Sequence, residues 1–297
     1  MPDIMDMNDA SELLNQYSGK YILYVEGKGD RAAYRAIAGT GFLEDYEFEV
    51  PSGGQGFNSV RKRVREERQT NKKVFGFLDG EAAAALGAAH QLVQCDDLLF
   101  TVANPDLSGL IFIAAHELEN LILSYSDVAP TIASHKSLAK LADGDAEALR
   151  EKLKTLTGRF LAAAMFKYAS LHLQHKGDCV HVADTKIFGD EISLKEVLAG
   201  MKKVVTQQLN LDWSVFAKEL FAITRAMRQQ VAAAPQPVLA KDLRHLRLAD
   251  GKALLTKLRG QVGAGREVEG HLLTALAKTS FATHFRDAIK SEIALAA

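Results

Sequence analysis

The run Val74–Leu78 (VFGFL) constrains the fold more than any other stretch of the chain. Five consecutive apolar residues cannot be a half-exposed strand, which would alternate; they predict a short central strand covered on both faces. Such strands belong to parallel sheets, whose neighbours are joined by crossover connections. The surrounding sequence fits. Residues 21–25 (YILYV) read as a first strand, with a helix over 30–37. Residues 46–50 read as a second strand, broken by Pro51-Ser52-Gly53-Gly54 before a helix that starts at Asn58. Residues 98–102 and Leu110–Ile113 complete the set of strands. An α/β fold with a parallel sheet flanked by helices is therefore predicted for residues 1–125.

Beyond residue 125 the apolar spacing changes to a helical period, over 147–168, 194–209, 213–232, 251–258 and 272–288. An α-helical C-terminal domain over 126–297 is the expectation, with Trp213, Phe216 and Leu220 on a packing face. The clearest internal break is the AAAPQPV stretch at 232–238. Hydrophobic residues make up 47% of the chain and charged residues 25%, as in an ordinary folded protein. No apolar run approaches the ~20 residues needed to span a bilayer. The acidic first fourteen residues lack a basic flank followed by an apolar core, so a cytoplasmic location is expected. Cys95 and Cys179, the only two cysteines, read as reduced thiols and exclude a cysteine-based zinc site.

Three predicted strands end in acid. Glu26 follows the first, Asp79 and Glu81 the third, and Glu117 and Glu119 the last. Ligands of open α/β sheets collect at the carboxyl ends of the strands. Carboxylates gathered there repel one another unless a cation neutralises them, and all-oxygen ligands select Mg²⁺ or Mn²⁺. Each acid alone reads first as a helix N-cap or a solvated surface group; their joint placement turns the balance toward a metal site. Other phosphate chemistries lack their motifs. There is no G-x-x-x-x-G-K-[ST], Gly27-Lys28-Gly29 is not a dinucleotide fingerprint, and Glu81 and Ala83 break the aspartyl-phosphatase pattern DxDx[TV]. Neither G-x-S-x-G nor H-E-x-x-H occurs.

Val25-Glu26-Gly27-x-x-Asp30, the Gly53-Gly54 turn and Asp79-x-Glu81 together resemble the motif set of TOPRIM domains. Glu119-Asn120 within HELENLIL, and Leu246-Arg247-Leu248-Ala249-Asp250-Gly251-Lys252, are similar to elements of the TOPRIM branch related to the OLD nucleases. One position departs from the pattern. Glu81 stands where the motif has a second aspartate, placing its oxygens one methylene further out.

The resemblance implies a TOPRIM-type sheet and a Mg²⁺- or Mn²⁺-dependent nuclease. Asp79, Glu81 and Asp30 would hold the metal, and Glu26 would serve as general base or acid or complete the metal shell. Glu119, His116 and Lys28 are supporting candidates, each with a structural alternative. Among the branch's members the layout is most similar to effectors of an anti-phage defence system. That implies a toxic endoribonuclease, with transfer RNA favoured over DNA, held by an ATPase partner of the ABC or SMC type and active as a homodimer. The alternatives are a DNA nickase like the OLD nucleases and a non-catalytic binding module.

The formal net charge of -1 leaves no bulk attraction for nucleic acid. Charge is nevertheless uneven: residues 241–290 hold ten Lys or Arg against five Asp or Glu. In the helix after the second strand, Val60 and Val64 are one turn apart and face inward, leaving Arg61, Lys62, Arg63, Arg65 and Arg68 outside. Arg61, Lys62 and Arg65 are the candidates for backbone contact with nucleic acid, with a solvated helix face as the other reading.

Overall fold

A computed structural model describes residues 19–95, 97–124, 137–141, 143–183, 185, 188, 194–230, 241–265 and 267–296. The N-terminal fourteen residues and the 232–238 stretch lie outside the described residues.

Five strands, β1 (Tyr21–Tyr24), β2 (Tyr46–Glu49), β3 (Val74–Leu78), β4 (Leu99–Thr101) and β5 (Leu110–Ile113), form one sheet in the order β2-β1-β3-β5-β4. The pairs β1–β2, β1–β3 and β3–β5 are parallel. The expected α/β fold, with a largely parallel sheet flanked by helices and a helical C-terminal region, is observed. The strands are slightly shorter than their apolar runs: Val25 is buried outside β1, and Leu98 precedes β4.

The chain separates into two compact units built from interleaved segments. One contains Met1–Leu78, Thr101–Phe112 and Ala277–Ala297; the other contains Asp79–Phe100 and Ile113–Leu276. This differs from a contiguous division at residue 125.

In the first unit, α1 (Lys28–Ala38) and α2 (Phe57–Glu67) provide the crossovers after β1 and β2. A later helix, α11 (Ser280–Ala296), also joins this unit. β3 is buried along its whole length, as its sequence requires. Phe77 meets Tyr34 of α1 edge-to-face at 4.9 Å and Phe285 of α11 at 5.7 Å. Truncating such a buried ring to alanine costs about 3–5 kcal/mol. The neighbouring Gly76 points to the opposite face. A Cβ there would lie 2.6 Å from Leu110 Cδ2 and 2.9 Å from Val60 Cγ1, so glycine is what lets α2 lie close on the sheet.

The second unit is mainly helical: α3 (Gly80–Ala85), α4 (Ala89–Gln94), α5 (Leu118–Ser124), α6 (Ala146–His175), α7 (Leu194–Lys203), α8 (Trp213–Gln230), α9 (Gly251–Val262) and α10 (Glu267–Leu276). Asp145 caps α6 by accepting from the backbone N–H of Glu147 at 2.8 Å. α6 runs to His175, about two turns beyond its expected end, and its Phe166 packs on Phe216 of α8 at 4.8 Å. Phe216 is buried, while Trp213 and Leu220 are half-buried. The helical pattern over 272–288 is two helices, α10 and α11, separated at Ala277–Thr279.

Candidate active site

In the first unit, the exit of β1 is fixed by backbone bonds. Val25 N donates to Glu49 O at 2.8 Å, and Glu26 O accepts from Gly56 N at 2.9 Å. Glu26 is half-buried at this exit. Asp30, also half-buried, occupies the first turn of α1, where a negative charge complements the helix dipole. Its carboxylate turns back over Gly27: a Cβ at that glycine would lie 3.3 Å from Asp30 Oδ2. Lys28 is exposed.

On α2, Val60 and Val64 face inward as expected. Arg61 is half-exposed, Lys62 and Arg65 are exposed, and all three line a shallow surface depression. Arg63 and Arg68 do not belong to this open face. Arg63 pairs with Glu67 at 2.5 Å. Arg68 donates to the carbonyls of Val74 at 2.9 Å and Ala296 at 3.0 Å and stacks 4.5 Å from the Phe75 ring centroid. It ties the end of α11 to the start of β3.

In the second unit, four acids follow the sheet strands. Asp79 N-caps α3 without a side-chain capping bond to it, and Glu81 lies in the first turn of that helix. Glu117 and Glu119 bracket the start of α5. Two lysines reach into this group. Lys167 Nζ of α6 lies 2.8 Å from Glu81 Oε1. Lys252 of α9 binds Glu117 twice, with Nζ 2.5 Å from Oε2 and its backbone N–H donating to Oε1 at 3.0 Å. Glu81, Glu117, Lys167 and Lys252 line a cleft of about 880 Å³, with Arg159, Asp250 and Lys257 also on its wall; Asp79 and Glu119 lie outside its lining.

The titration behaviour follows from this geometry. Burial works to raise the Glu81 pKa, but His116, Lys167 and Lys252 outweigh it and hold the carboxyl below its usual value. Glu119 moves the other way, up to about 6, because it is buried and then faces the charge of Glu117. Burial alone would lower the Lys252 pKa; the charges of Glu117, Glu119 and Asp79, with the Glu117 hydrogen bond, raise it instead. His116 is fully buried, and that burial drops its pKa to about 4, so the ring is neutral near pH 7. Its Nδ1 lies 2.7 Å from the Tyr168 hydroxyl and its Nε2 3.4 Å from Glu81 Oε2. The same hydroxyl donates to the Leu248 carbonyl at 3.3 Å.

No known protein-family profile and no curated protein matches the chain.

Asn120 and Arg247 frame the cleft without facing it. Asn120, fully buried, donates from Nδ2 to the carbonyls of Leu246 at 2.7 Å and Ala249 at 2.8 Å, and accepts from the Glu117 N–H at 3.1 Å. Gly251 sits against it: a Cβ there would lie 2.6 Å from Asn120 Oδ1. Buried Arg247 donates to the carbonyls of Leu92, Val93 and Ala114, and its own carbonyl accepts from His116 N at 2.6 Å. The Glu119-Asn120 and Gly251-Lys252 sequences thus meet in space. Asn120 and Gly251 lock the start of α5 to α9, and Lys252 presents its charge to Glu117.

The all-oxygen donors Asp79, Glu81 and Glu119 suit a hard cation chemically; the Glu119 pKa is raised first by burial and only then by the charge of Glu117. Among the described residues, however, no three side chains of the Asp79, Glu81, Glu117, Glu119 and His116 group bring ligand atoms within 4.8 Å of one another. Lysines occupy Glu81 and Glu117 instead. The sequence marks Lys252 only within a motif and gives no local sign of Lys167, Arg159 or Tyr168. Nothing in the α6 sequence marks Lys167, because its role depends on which helix α6 faces.

Proposed function

We propose that this chain is a Mg²⁺- or Mn²⁺-dependent phosphodiesterase of the TOPRIM type. The observation that carries the reading is the second unit's cleft, where carboxylates at the exits of β3 and β5 interleave with Lys167, Lys252, Arg159 and Lys257. A surface meant only to bind phosphate gains nothing from clustered carboxylates, whereas a site for phosphate plus metal needs both charges.

In this reading Asp79 and Glu81 would hold the ion, with Asp30 and Glu26 assigned by their motif positions. A bound ion would neutralise phosphoryl charge and lower the pKa of an attacking water. Glu26 serves as the proton acceptor. Lys252 and Lys167 draw the phosphate in, and binding that displaces Lys167 from Glu81 frees that carboxylate as a ligand. Neutral His116 holds Glu81 in place. The resemblance to AriB, the effector of the PARIS anti-phage system, extends the proposal. The substrate is RNA, transfer RNA above other RNAs, the setting is the cytoplasm, and an ABC- or SMC-type ATPase, AriA, restrains the enzyme until infection.

A second reading has its own observation in its favour. Glu81 and Glu117 are already neutralised by lysines, as in a non-catalytic module whose acids are structural. Incubating the purified chain with transfer RNA and supercoiled plasmid, in Mg²⁺ and in chelator, separates these possibilities. Cleaved RNA in Mg²⁺ alone supports the proposal, nicked plasmid with intact RNA favours an OLD-like nickase, and no cleavage of either favours the binding module.

A further inference from the structure

A second cluster of chemistry-bearing side chains lies in the same unit, and none of its residues lines the cleft. His90 on α4, His172 on α6 and Glu219 on α8 aim their polar atoms at one point. His90 Nε2 lies 3.0 Å from Glu219 Oε1, and His172 Nε2 lies 3.7 Å from the same oxygen. The two rings meet edge-to-face with centroids 5.2 Å apart. All three ligand atoms fall within 4.8 Å of one another, the only such set of His, Cys, Asp and Glu among the described residues.

Hydrogen bonding explains only part of this arrangement. His90 and Glu219 form a good bond, but 3.7 Å is too long for one from His172. His172 Nδ1 is buried and has no partner either. A ring that is 12% exposed thus bonds through neither nitrogen. Leaving a buried polar group unsatisfied is costly, and such a group calls for a missing partner. That cost falls on Nδ1; a cation would add a partner for Nε2, which faces Glu219 Oε1 across 3.7 Å.

The spacing fits one class of ion. Zinc binds imidazole nitrogen at about 2.0–2.1 Å and carboxylate oxygen at about 2.0–2.2 Å, so a tetrahedral ion holds its ligand atoms roughly 3.4 Å apart. The observed 3.0 and 3.7 Å bracket that separation. Two imidazoles and one carboxylate suit borderline transition metals, not Mg²⁺, which prefers oxygen throughout.

We propose that His90, His172 and Glu219 form a binding site for a divalent transition-metal ion of the zinc type, with water as fourth ligand. The ion clips α4, α6 and α8 together. Lys176 fits the arrangement, since its Nζ takes the other carboxylate oxygen, Oε2, at 3.0 Å and leaves Oε1 to the metal. The clip also steadies the cleft, because α6 carries Lys167 and Tyr168 a little more than one turn before His172. The inference stands independently of the nuclease reading.

The test is metal binding by the full chain after stripping with chelator, read by calorimetry with Zn²⁺, by the visible absorption of Co²⁺ and by the melting temperature. One Zn²⁺ per chain, a raised melting temperature, a tetrahedral Co²⁺ spectrum and no displacement by excess Mg²⁺ are expected. His90→Ala alters a partly exposed side chain and keeps the fold testable. It should weaken Zn²⁺ binding by more than the roughly 10- to 100-fold that loss of an outer-shell partner costs. Lys176→Gln removes a competing cation and should leave binding intact or tighten it. Absence of a tight site in the wild-type chain, or equal Zn²⁺ affinity in wild type, His90→Ala and Glu219→Gln, would overturn the proposal.

Discussion

Replacing Asn120 and Gly251, singly and together, tests whether the contact between α5 and α9 is what shapes the cleft. Asn120→Ala removes three buried hydrogen bonds, from Nδ2 to Leu246 and Ala249 and from the Glu117 N–H to Oδ1. At about 0.5–1.5 kcal/mol each, the loss is roughly 2–4 kcal/mol. Gly251→Ala acts by crowding, since its new methyl would lie 2.6 Å from Oδ1 and 2.8 Å from Cγ of Asn120. Overpacking of this kind costs about 1–3 kcal/mol. In the double variant those two atoms are gone and only the backbone nitrogen, 3.0 Å away, still crowds the methyl. The second substitution should then cost at least about 1 kcal/mol less than it does alone. Urea unfolding followed by tryptophan fluorescence is the assay. Trp213 is the sole tryptophan and lies in the same unit as both sites, so it reports that unit's unfolding. Costs that add to within about 0.5 kcal/mol, or an Asn120→Ala variant as stable as wild type, would refute the reasoning.

The burial of His116 predicts a pH-dependent stability. Its pKa is near 6.5 when unfolded and about 4 in the fold, so its contribution is present above pH 6.5 and lost as pH falls to 4. The loss is about 3 kcal/mol, and His116→Gln should flatten that part of the stability curve; an unchanged slope would contradict the burial account. Neutralising Arg61, Lys62 and Arg65 together should weaken RNA binding and reduce its dependence on salt, because fewer counterions are released. An unchanged salt slope returns that face of α2 to a solvated surface.

Much of the sheet was legible because its strands carry local signals. The unbroken apolar run of β3 announced a strand with neighbours on both sides; β3 ends where its apolar residues give way to Asp79, and β1 stops at Tyr24, one residue before its run gives way to Glu26. The interleaving of the two units was not legible. α11 reads as one more amphipathic helix, and nothing local says that Phe285 packs on Phe77 while α10, a few residues earlier, belongs to the other unit. Arg68 looked like one cation among several on α2. Its role is set by carbonyls at Val74 and Ala296, the latter more than two hundred residues away in sequence. The acids of the candidate site were visible as strand-end carboxylates, but their partners were not, since Lys167 is chosen by helix packing. His90, His172 and Glu219 share no sequence spacing at all and meet only because α4, α6 and α8 do.

The central claim is that the strand-end carboxylates serve a metal-dependent cleavage. The most direct measurement compares RNA cleavage rates of wild type and Asp79→Asn over a Mg²⁺ titration, with melting temperature as the control for folding. A metal ion supplies several kcal/mol of charge stabilisation. At about 1.4 kcal/mol per tenfold in rate, loss of a ligand should slow cleavage by at least about 100-fold. The account predicts that fall at an unchanged or slightly higher melting temperature, since removing one charge relieves repulsion among the acids. Wild-type cleavage by Asp79→Asn, or wild-type cleavage that persists in excess chelator, would contradict it.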